Sequence, residues 1–371
     1  MSNRRVIHII NGEHFAGAER VQDLLGTALP EHGFDCTFVS LMRGRFAETV
    51  KDRDYEHVSA PMRGRLGILQ SALQISKIAR ERDACIIHAH TIRSGLVAAL
   101  VSRITGIPLV LHVHSPSSSE TDSRIRNLVH VAAERVAGAQ AAHFICVSNS
   151  LRERLTAAGT RPDRVSVVHN GIAATPRPAP KPHRDHLCVG MVALLRPRKG
   201  VEVLLKSLAR LDDSVQCTIV GPFETPTYER EVLDLVKSLN LVQRVKFTGH
   251  VSDVERWWKS FDIFALPSLF GEGVPMVCLE AMAHGTPVVS TQVEGLPELI
   301  SSDAEGLLVA PDDVPAFTGA LRTLVESRQL RHDIAEAAFV RQSTGFTQIA
   351  MASGVAAVYR STLSERRDDA N

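Results

Sequence analysis

Short apolar runs alternate with longer amphipathic stretches along most of this chain. In the first half the runs lie at 6–10, 36–41, 85–88, 109–113, 143–147 and 165–168, with helical periodicity at 18–30, 92–104, 124–139 and 149–157. A run of five or six apolar residues suits a strand covered on both faces. Apolar positions three and four apart suit a helix with one side on a core. The alternation stops at residues 173–182, Ala-Ala-Thr-Pro-Arg-Pro-Ala-Pro-Lys-Pro, whose four prolines in ten residues read as a stiff extended linker. It restarts with runs near 187–193, 216–220, 245–248, 262–266, 287–290 and 307–309. A last helix is expected over about 344–364, with Arg366–Asn371 polar and loose.

Strands separated by helices imply parallel sheets covered on both faces, here twice over. The pattern predicts an α/β chain of two Rossmann-like, doubly wound domains, residues 1–172 and 185–345, joined by a linker at 173–184. A helix at about 350–371 is expected to pack back on the first domain. Such sheets bind ligands at the carboxyl ends of their strands, so two facing domains would form an interdomain cleft there. A length of 371 residues agrees with two cores rather than one.

Composition narrows the setting. No apolar stretch is long enough to span a bilayer, and Arg4–Asn11 reads as a buried strand rather than a signal peptide. Six dispersed cysteines without C-x-x-C spacing point to a reducing compartment, and to neither a disulfide framework nor a zinc site. The net charge of +1 divides into +6 over residues 1–178 and −5 over the rest. That imbalance is too mild for nucleic acid; it leaves open an anionic partner, a membrane surface or plain scatter.

The densest chemistry lies at residues 268–291, Ser-Leu-Phe-Gly-Glu-Gly-Val-Pro-Met-Val-Cys-Leu-Glu-Ala-Met-Ala-His-Gly-Thr-Pro-Val-Val-Ser-Thr. Pro275 suits a first helical position and Gly285 the residue past a helix end, so Glu272 falls in a loop and Glu280 in the helix after it. Gly271 and Gly273 let backbone N–H groups approach an anion at the positive end of the helix dipole. A phosphate flanked by two carboxylates that accept from hydroxyls describes a grip for a nucleotide sugar.

This block resembles the Glu-x7-Glu signature of retaining family-4 glycosyltransferases, which have the GT-B fold. Asn170-Gly171-Ile172, Lys199-Gly200, residues 295–298 (Gly-Leu-Pro-Glu) and residues 306–311 resemble the family's flanking features. The resemblance implies that Glu272 binds hydroxyls of the donor sugar, aided by backbone N–H groups of Gly273, Val274 and Pro275. It implies that Glu280 accepts from the ribose, and that Lys199 neutralises the departing diphosphate. Gly221, His250 and Val251 stand where the family contacts diphosphate and base. Gly17 would face donor or acceptor, with Ala16 replacing a family glycine. Where many relatives have an arginine this chain has Leu194; Arg196 is the expected substitute and Arg198 its rival. UDP is favoured over GDP, with no cofactor and no metal.

Histidines 88, 90, 112 and 114 form two H-x-H pairs ending two predicted strands, each pair on one strand face. A four-histidine metal site is weighed and set aside, because no nearby carboxylate completes a ligand pattern. By the resemblance His114 approaches the donor sugar, while His90 and Asn170 line the acceptor side. The stretch from Met62 to Arg82, with Arg63, Arg65, Lys77, Arg80 and Arg82, reads as a surface helix or as a contact with anionic lipid. The expectation is a cytoplasmic retaining glycosyltransferase, peripheral at the inner membrane face, acting on a glycan or lipid-linked acceptor in cell-surface polysaccharide or glycolipid assembly. The alternatives are a catalytically idle sugar-nucleotide-binding scaffold and another GT-B enzyme such as a sugar-nucleotide epimerase. A dehydrogenase is disfavoured, since residues 12–17 lack G-x-G-x-x-G.

Overall fold

The computed structural model describes residues 3–368 apart from 14, 16, 65, 116–131, 134, 183, 185 and 252. Position 16, Arg65 and most of the helical pattern at 124–139 therefore lie outside the described residues. Backbone contacts divide the chain into two units, Met1–Ala173 with Thr347–Asn371, and Ala174–Phe346.

The first unit is built on seven parallel strands: β1 (Arg4–Ile10), β2 (Phe34–Ser40), β3 (Glu56–Ser59), β4 (Ala84–Ala89), β5 (Leu109–Val113), β6 (Ala141–Cys146) and β7 (Val165–Val167). Their order is β3-β2-β1-β4-β5-β6-β7. The second unit has β8 (Cys188–Val192), β9 (Gln216–Val220), β10 (Val245–Phe247), β11 (Ile263–Leu266), β12 (Val288–Thr291) and β13 (Leu307–Val309), in the order β10-β9-β8-β11-β12-β13. Each chain path runs outward in one direction, then returns past its first strand. The order thus reverses between β1 and β4 and between β8 and β11, the switch points where doubly wound sheets open a crevice.

The apolar runs mark every strand except β3. Val6, Ile7, Ile9 and Ile10 in β1, and all four residues of β11, are fully buried. The edge strand β3, which pairs with Thr37–Ser40 of β2, escapes that signal because Glu56-His-Val-Ser has one aliphatic residue. None of the six cysteines is in a disulfide, and burial pushes the five thiols at 36, 85, 188, 217 and 278 upward.

Three local expectations change. Pro275 is the residue before the helix Met276–Ala283, with extended ψ of 124°, and its carbonyl accepts from the Cys278 and Leu279 N–H groups. The tail helix expected from about 344 starts later, as Gln348–Asp368, because a separate helix Arg328–Gly345 ends first and the chain passes from one unit to the other at Phe346 and Thr347. The tail helix continues through Arg366 to Asp368, so the chain there is helical rather than loose. It belongs to the first unit, where Met351, Ala352, Val355, Ala356 and Tyr359 are at most 2% exposed. Its entry passes over Gly171, where a Cβ would stand 2.1 Å from the Thr347 carbonyl oxygen. The Gln348 N–H donates to the Ile172 carbonyl at 2.7 Å.

Candidate functional site

In the second unit, the β8 turn brings Arg196, Arg198 and Lys199 to the switch point. The Leu195 N–H donates to the Pro222 carbonyl, and the Glu224 N–H donates back to the Leu195 carbonyl, each at 2.9 Å. The turn Pro197–Lys199 follows, and Gly200 takes a left-handed φ of 66°. A Cβ on Gly200 would meet the Pro267 carbonyl oxygen at 2.0 Å, so glycine lets this turn close on the loop after β11. The Leu269 N–H completes the junction by donating to the Arg198 carbonyl at 2.8 Å.

Glu272, 5% exposed, is the centre of this junction. Its Oε1 contacts Lys199 Nζ, accepts from Ser268 Oγ at 2.6 Å, and lies 3.8 Å from Arg198 Nη1. Arg198 Nη1 also donates to the Gly271 carbonyl at 2.9 Å, while its Nε is buried with no hydrogen-bond partner. Burial raises the Glu272 pKa, but the charges of Lys199 and Arg198 outweigh it and hold the carboxyl below its ordinary range. Burial also lowers Lys199, and Glu272 offsets part of that effect. The result is a charged acid beside two cations in a largely dry pocket.

Sequence reasoning missed Glu294. Its carboxylate accepts from the Gly271 N–H at 3.0 Å and from the Glu272 N–H at 3.2 Å, pinning the loop that carries Glu272. Glu294 holds a φ of 37°, a left-handed backbone that costs a non-glycine residue energy. The Gly271 N–H, expected to face a ligand, is thus already engaged.

Arg196, the expected phosphate clamp, pairs with Glu224 at 2.9 Å. Arg198 is the arginine beside Glu272. Gly273, Val274 and Pro275 are buried just before the helix Met276–Ala283, and Glu280 is buried within it. Gly221, His250 and Val251 lie past β9 and β10, with the Gly221 N–H donating to the Gly249 carbonyl at 3.0 Å. A cavity of about 540 Å³ lined by Pro178, Lys181, Asp262 and Arg331 contains none of these residues and is not the candidate site.

In the first unit, five imidazoles gather at β1, β4 and β5: His8, His88, His90, His112 and His114. All but half-buried His114 are at most 3% exposed. Burial lowers His8 to about 3 and His114 to about 4. Burial first, then neighbouring histidines, hold the other three far below their usual value, so the cluster is neutral at physiological pH. His8, which the H-x-H pattern could not reveal, arrives because β1 lies beside β4 with His8 opposite His88. Asn170 is buried, and Gly17 is exposed at the start of the helix Gly17–Ala28.

Residues 15–175 match the family described as Glycosyltransferase Family 4, and residues 184–327 match Glycosyl transferases group 1. An alpha-maltose-1-phosphate synthase of Mycolicibacterium smegmatis is 30% identical over 304 residues, 74% of this chain and 78% of that protein. This chain belongs to glycosyltransferase family 4. The UDP-Gal:alpha-D-GlcNAc-diphosphoundecaprenol alpha-1,3-galactosyltransferase of Escherichia coli is 23% identical, over 89% of this chain and 90% of its own. HepE of Anabaena, solved with UDP and glucose, superposes on this glycosyltransferase with a TM-score of 0.85 at 25% identity, covering 97% of this chain and 100% of its own. The two doubly wound sheets are those of the GT-B fold. Within that fold, the acid–lysine–arginine cluster belongs to the second unit and the histidines to the first.

Proposed function

We propose that this family 4 glycosyltransferase moves a sugar from a nucleoside-diphosphate sugar to an acceptor hydroxyl with retention of the anomeric configuration. UDP is its preferred nucleotide, ahead of GDP. The observation that carries this reading is the arrangement at the ends of β8 and β11: Lys199 and Arg198 beside the buried Glu272 carboxylate. The named UDP-sugar substrate of the E. coli relative and the UDP in the Anabaena structure support the choice of nucleotide.

On donor entry, Lys199 and Arg198 exchange part of their contact with Glu272 for phosphate oxygens. Glu272 then accepts from sugar hydroxyls, and Glu280 from the ribose. Negative charge grows on the diphosphate as the glycosidic C–O bond breaks, so cations fixed beside it stabilise the transition state more than the ground state. The acceptor oxygen forms its bond to the anomeric carbon on the face the diphosphate leaves, and a phosphate oxygen takes its proton. In this scheme Glu272 binds and does not attack, His114 meets the donor sugar, and His90 and Asn170 border the acceptor. The two cations carry the charge role, so turnover in EDTA is expected to equal turnover without it.

The acceptor is lipid-linked, at an anionic membrane surface, in cell-surface polysaccharide or glycolipid assembly. Supporting this, Leu66, Ile68, Leu69 and Leu73 are 39–64% exposed around the start of the helix Gly67–Glu81, with Arg63 and Lys77 nearby. No described helix is long and apolar enough to cross a membrane. The deciding assay is nucleotide release from a panel of UDP- and GDP-sugars, with and without a polyprenyl-diphosphate sugar, and NMR of the product anomer. Glu272→Ala is expected to lose at least a hundredfold in kcat/KM, about 2.7 kcal/mol or more. An inverted product, nucleotide binding without release, or wild-type turnover by Glu272→Ala would each overturn the proposal.

A further inference from the structure

The first unit contains a continuous chain of short polar contacts that ends on the last helix. His114 Nε2 lies 3.2 Å from His90 Nδ1, and His90 Nε2 lies 3.1 Å from His8 Nδ1. His8 Nε2 is 3.4 Å from the Tyr359 hydroxyl and 3.5 Å from Cys36 Sγ. The same hydroxyl is 2.5 Å from His88 Nδ1. Every ring is neutral, so each carries one proton and can donate from only one nitrogen. Fixing the proton at one end of such a chain therefore fixes it at the other.

A metal ion is the first alternative, since one nitrogen from each of His90, His112 and His114 lies within 4.8 Å of the others, as do those of His8, His88 and His90. Ring geometry argues against both groups. A ligating imidazole holds the metal in its own ring plane, roughly 2.1 Å from nitrogen. His112 and His114 are stacked with centroids 4.3 Å apart and planes 17° apart, and His88 and His90 with 4.2 Å and 26°. Stacked planes do not share an in-plane point that close to both nitrogens. The end-to-end nitrogen contacts instead suit hydrogen bonds.

We propose that Tyr359 is a positioning residue that orders the protons of this chain, so that His114 carries its proton on Nε2 and presents Nδ1 as a bare acceptor. The shortest link sets the direction. A phenol is a better donor than a neutral imidazole and imidazole nitrogen a better acceptor than phenol oxygen, so at 2.5 Å Tyr359 donates to His88 Nδ1. The Tyr359 oxygen is then an acceptor for His8 Nε2–H, with Cys36 Sγ beside it. His8 Nδ1 is left bare and accepts from His90 Nε2–H. His90 Nδ1 is left bare in turn and accepts from His114 Nε2–H. The cost falls at the far end, where His88 Nε2 is buried with no hydrogen-bond partner. A ring offering only a lone pair at Nδ1 suits a sugar hydroxyl that donates, and this consequence rests on the role proposed above for His114. The tautomer itself does not.

Long-range 1H–15N correlation on the full-length protein with 15N-labelled histidine reads each tautomer directly at neutral pH. The expected result is the Nε2–H form for His8, His88, His90 and His114 in the wild type. In Tyr359→Phe, His8 loses its oxygen acceptor, and the His114 signals should move to a mixture of both forms while circular dichroism stays unchanged. Transfer by this variant is expected to fall about tenfold in kcat/KM. His114 found as Nδ1–H in the wild type would overturn the proposal whatever the variant does. So would an unchanged His114 in a folded Tyr359→Phe protein. Neither reading needs sugar or turnover, so each stands apart from failure of the proposed transferase activity.

Discussion

Arg196 and Arg198 are two positions apart in one turn, yet their charges go to different acids. The paired backbone bonds between Leu195 and the 222–224 segment carry Arg196 to Glu224, while Arg198 turns to the Gly271 carbonyl and Glu272. Replacing Arg198 with alanine is expected to lower kcat/KM about a hundredfold, near 2.7 kcal/mol, as loss of a preorganised donor does. Arg196→Ala should cost less than about tenfold. Steady-state kinetics of the two variants with one donor decide the matter, and a larger loss at Arg196 would reverse the assignment. Glu294 acts on the same loop from the other side. Changing it to glutamine replaces charge-assisted bonds with neutral ones, for about 1 kcal/mol in stability. If its work is to aim Glu272, kcat/KM for transfer should fall more than the loss in Tm explains. A fall in Tm with unchanged kinetics would leave Glu294 a purely structural strut.

At the scale of elements, the chain announces its central strands and three edge strands, β7, β10 and β13, and hides the fourth edge, β3. Runs such as Val6–Ile10 and Ile263–Leu266 are legible because both faces of a parallel strand are buried, so burial writes itself into consecutive residues. Strand β3 is not legible, since Glu56-His-Val-Ser has one aliphatic residue and none of the four is fully buried. Glu272 and Lys199 could be named from their local sequence, but their pairing depends on two turns 73 residues apart being closed over Gly200. Glu294 and His8 reach their clusters through the loop after β12 and through strand order, which no local spacing encodes. The helix Gly67–Glu81 gives the reverse case: its buried face is readable, while Leu69 and Leu73 remain 46% and 54% exposed. Leu66→Ser with Leu73→Ser is expected to weaken binding to phosphatidylglycerol-containing vesicles about tenfold per leucine, the transfer cost of each side chain. Sedimentation with vesicles measures this. Equal sedimentation of variant and wild type would remove the membrane-contact role of this helix.

The whole molecule is not two consecutive beads, because the chain finishes the first unit only after building the second. After Phe346 it re-enters at Thr347, and the helix Gln348–Asp368 covers the first sheet with Met351, Val355, Val358 and Tyr359. Burying side chains of this size contributes about 1.5–3 kcal/mol each. Summed over that helix face, the loss is comparable with the entire stability of an ordinary domain, about 5–15 kcal/mol. A chain stopped after Phe346 should therefore fail to hold the first unit folded, even though it retains every strand of both sheets. The second unit keeps its own core, from Val189 to Ile334, and all of the Lys199–Glu272 cluster. Hydrogen exchange of the truncated chain is expected to show lost protection in β1, β4 and β5 alongside retained protection in β8, β11 and β12. UDP should still slow exchange around residues 198–200 and 271–280. Full protection of β1, β4 and β5 in the truncated chain would mean that the sheet stands without its last helix. Tyr359 would then serve the histidine chain alone.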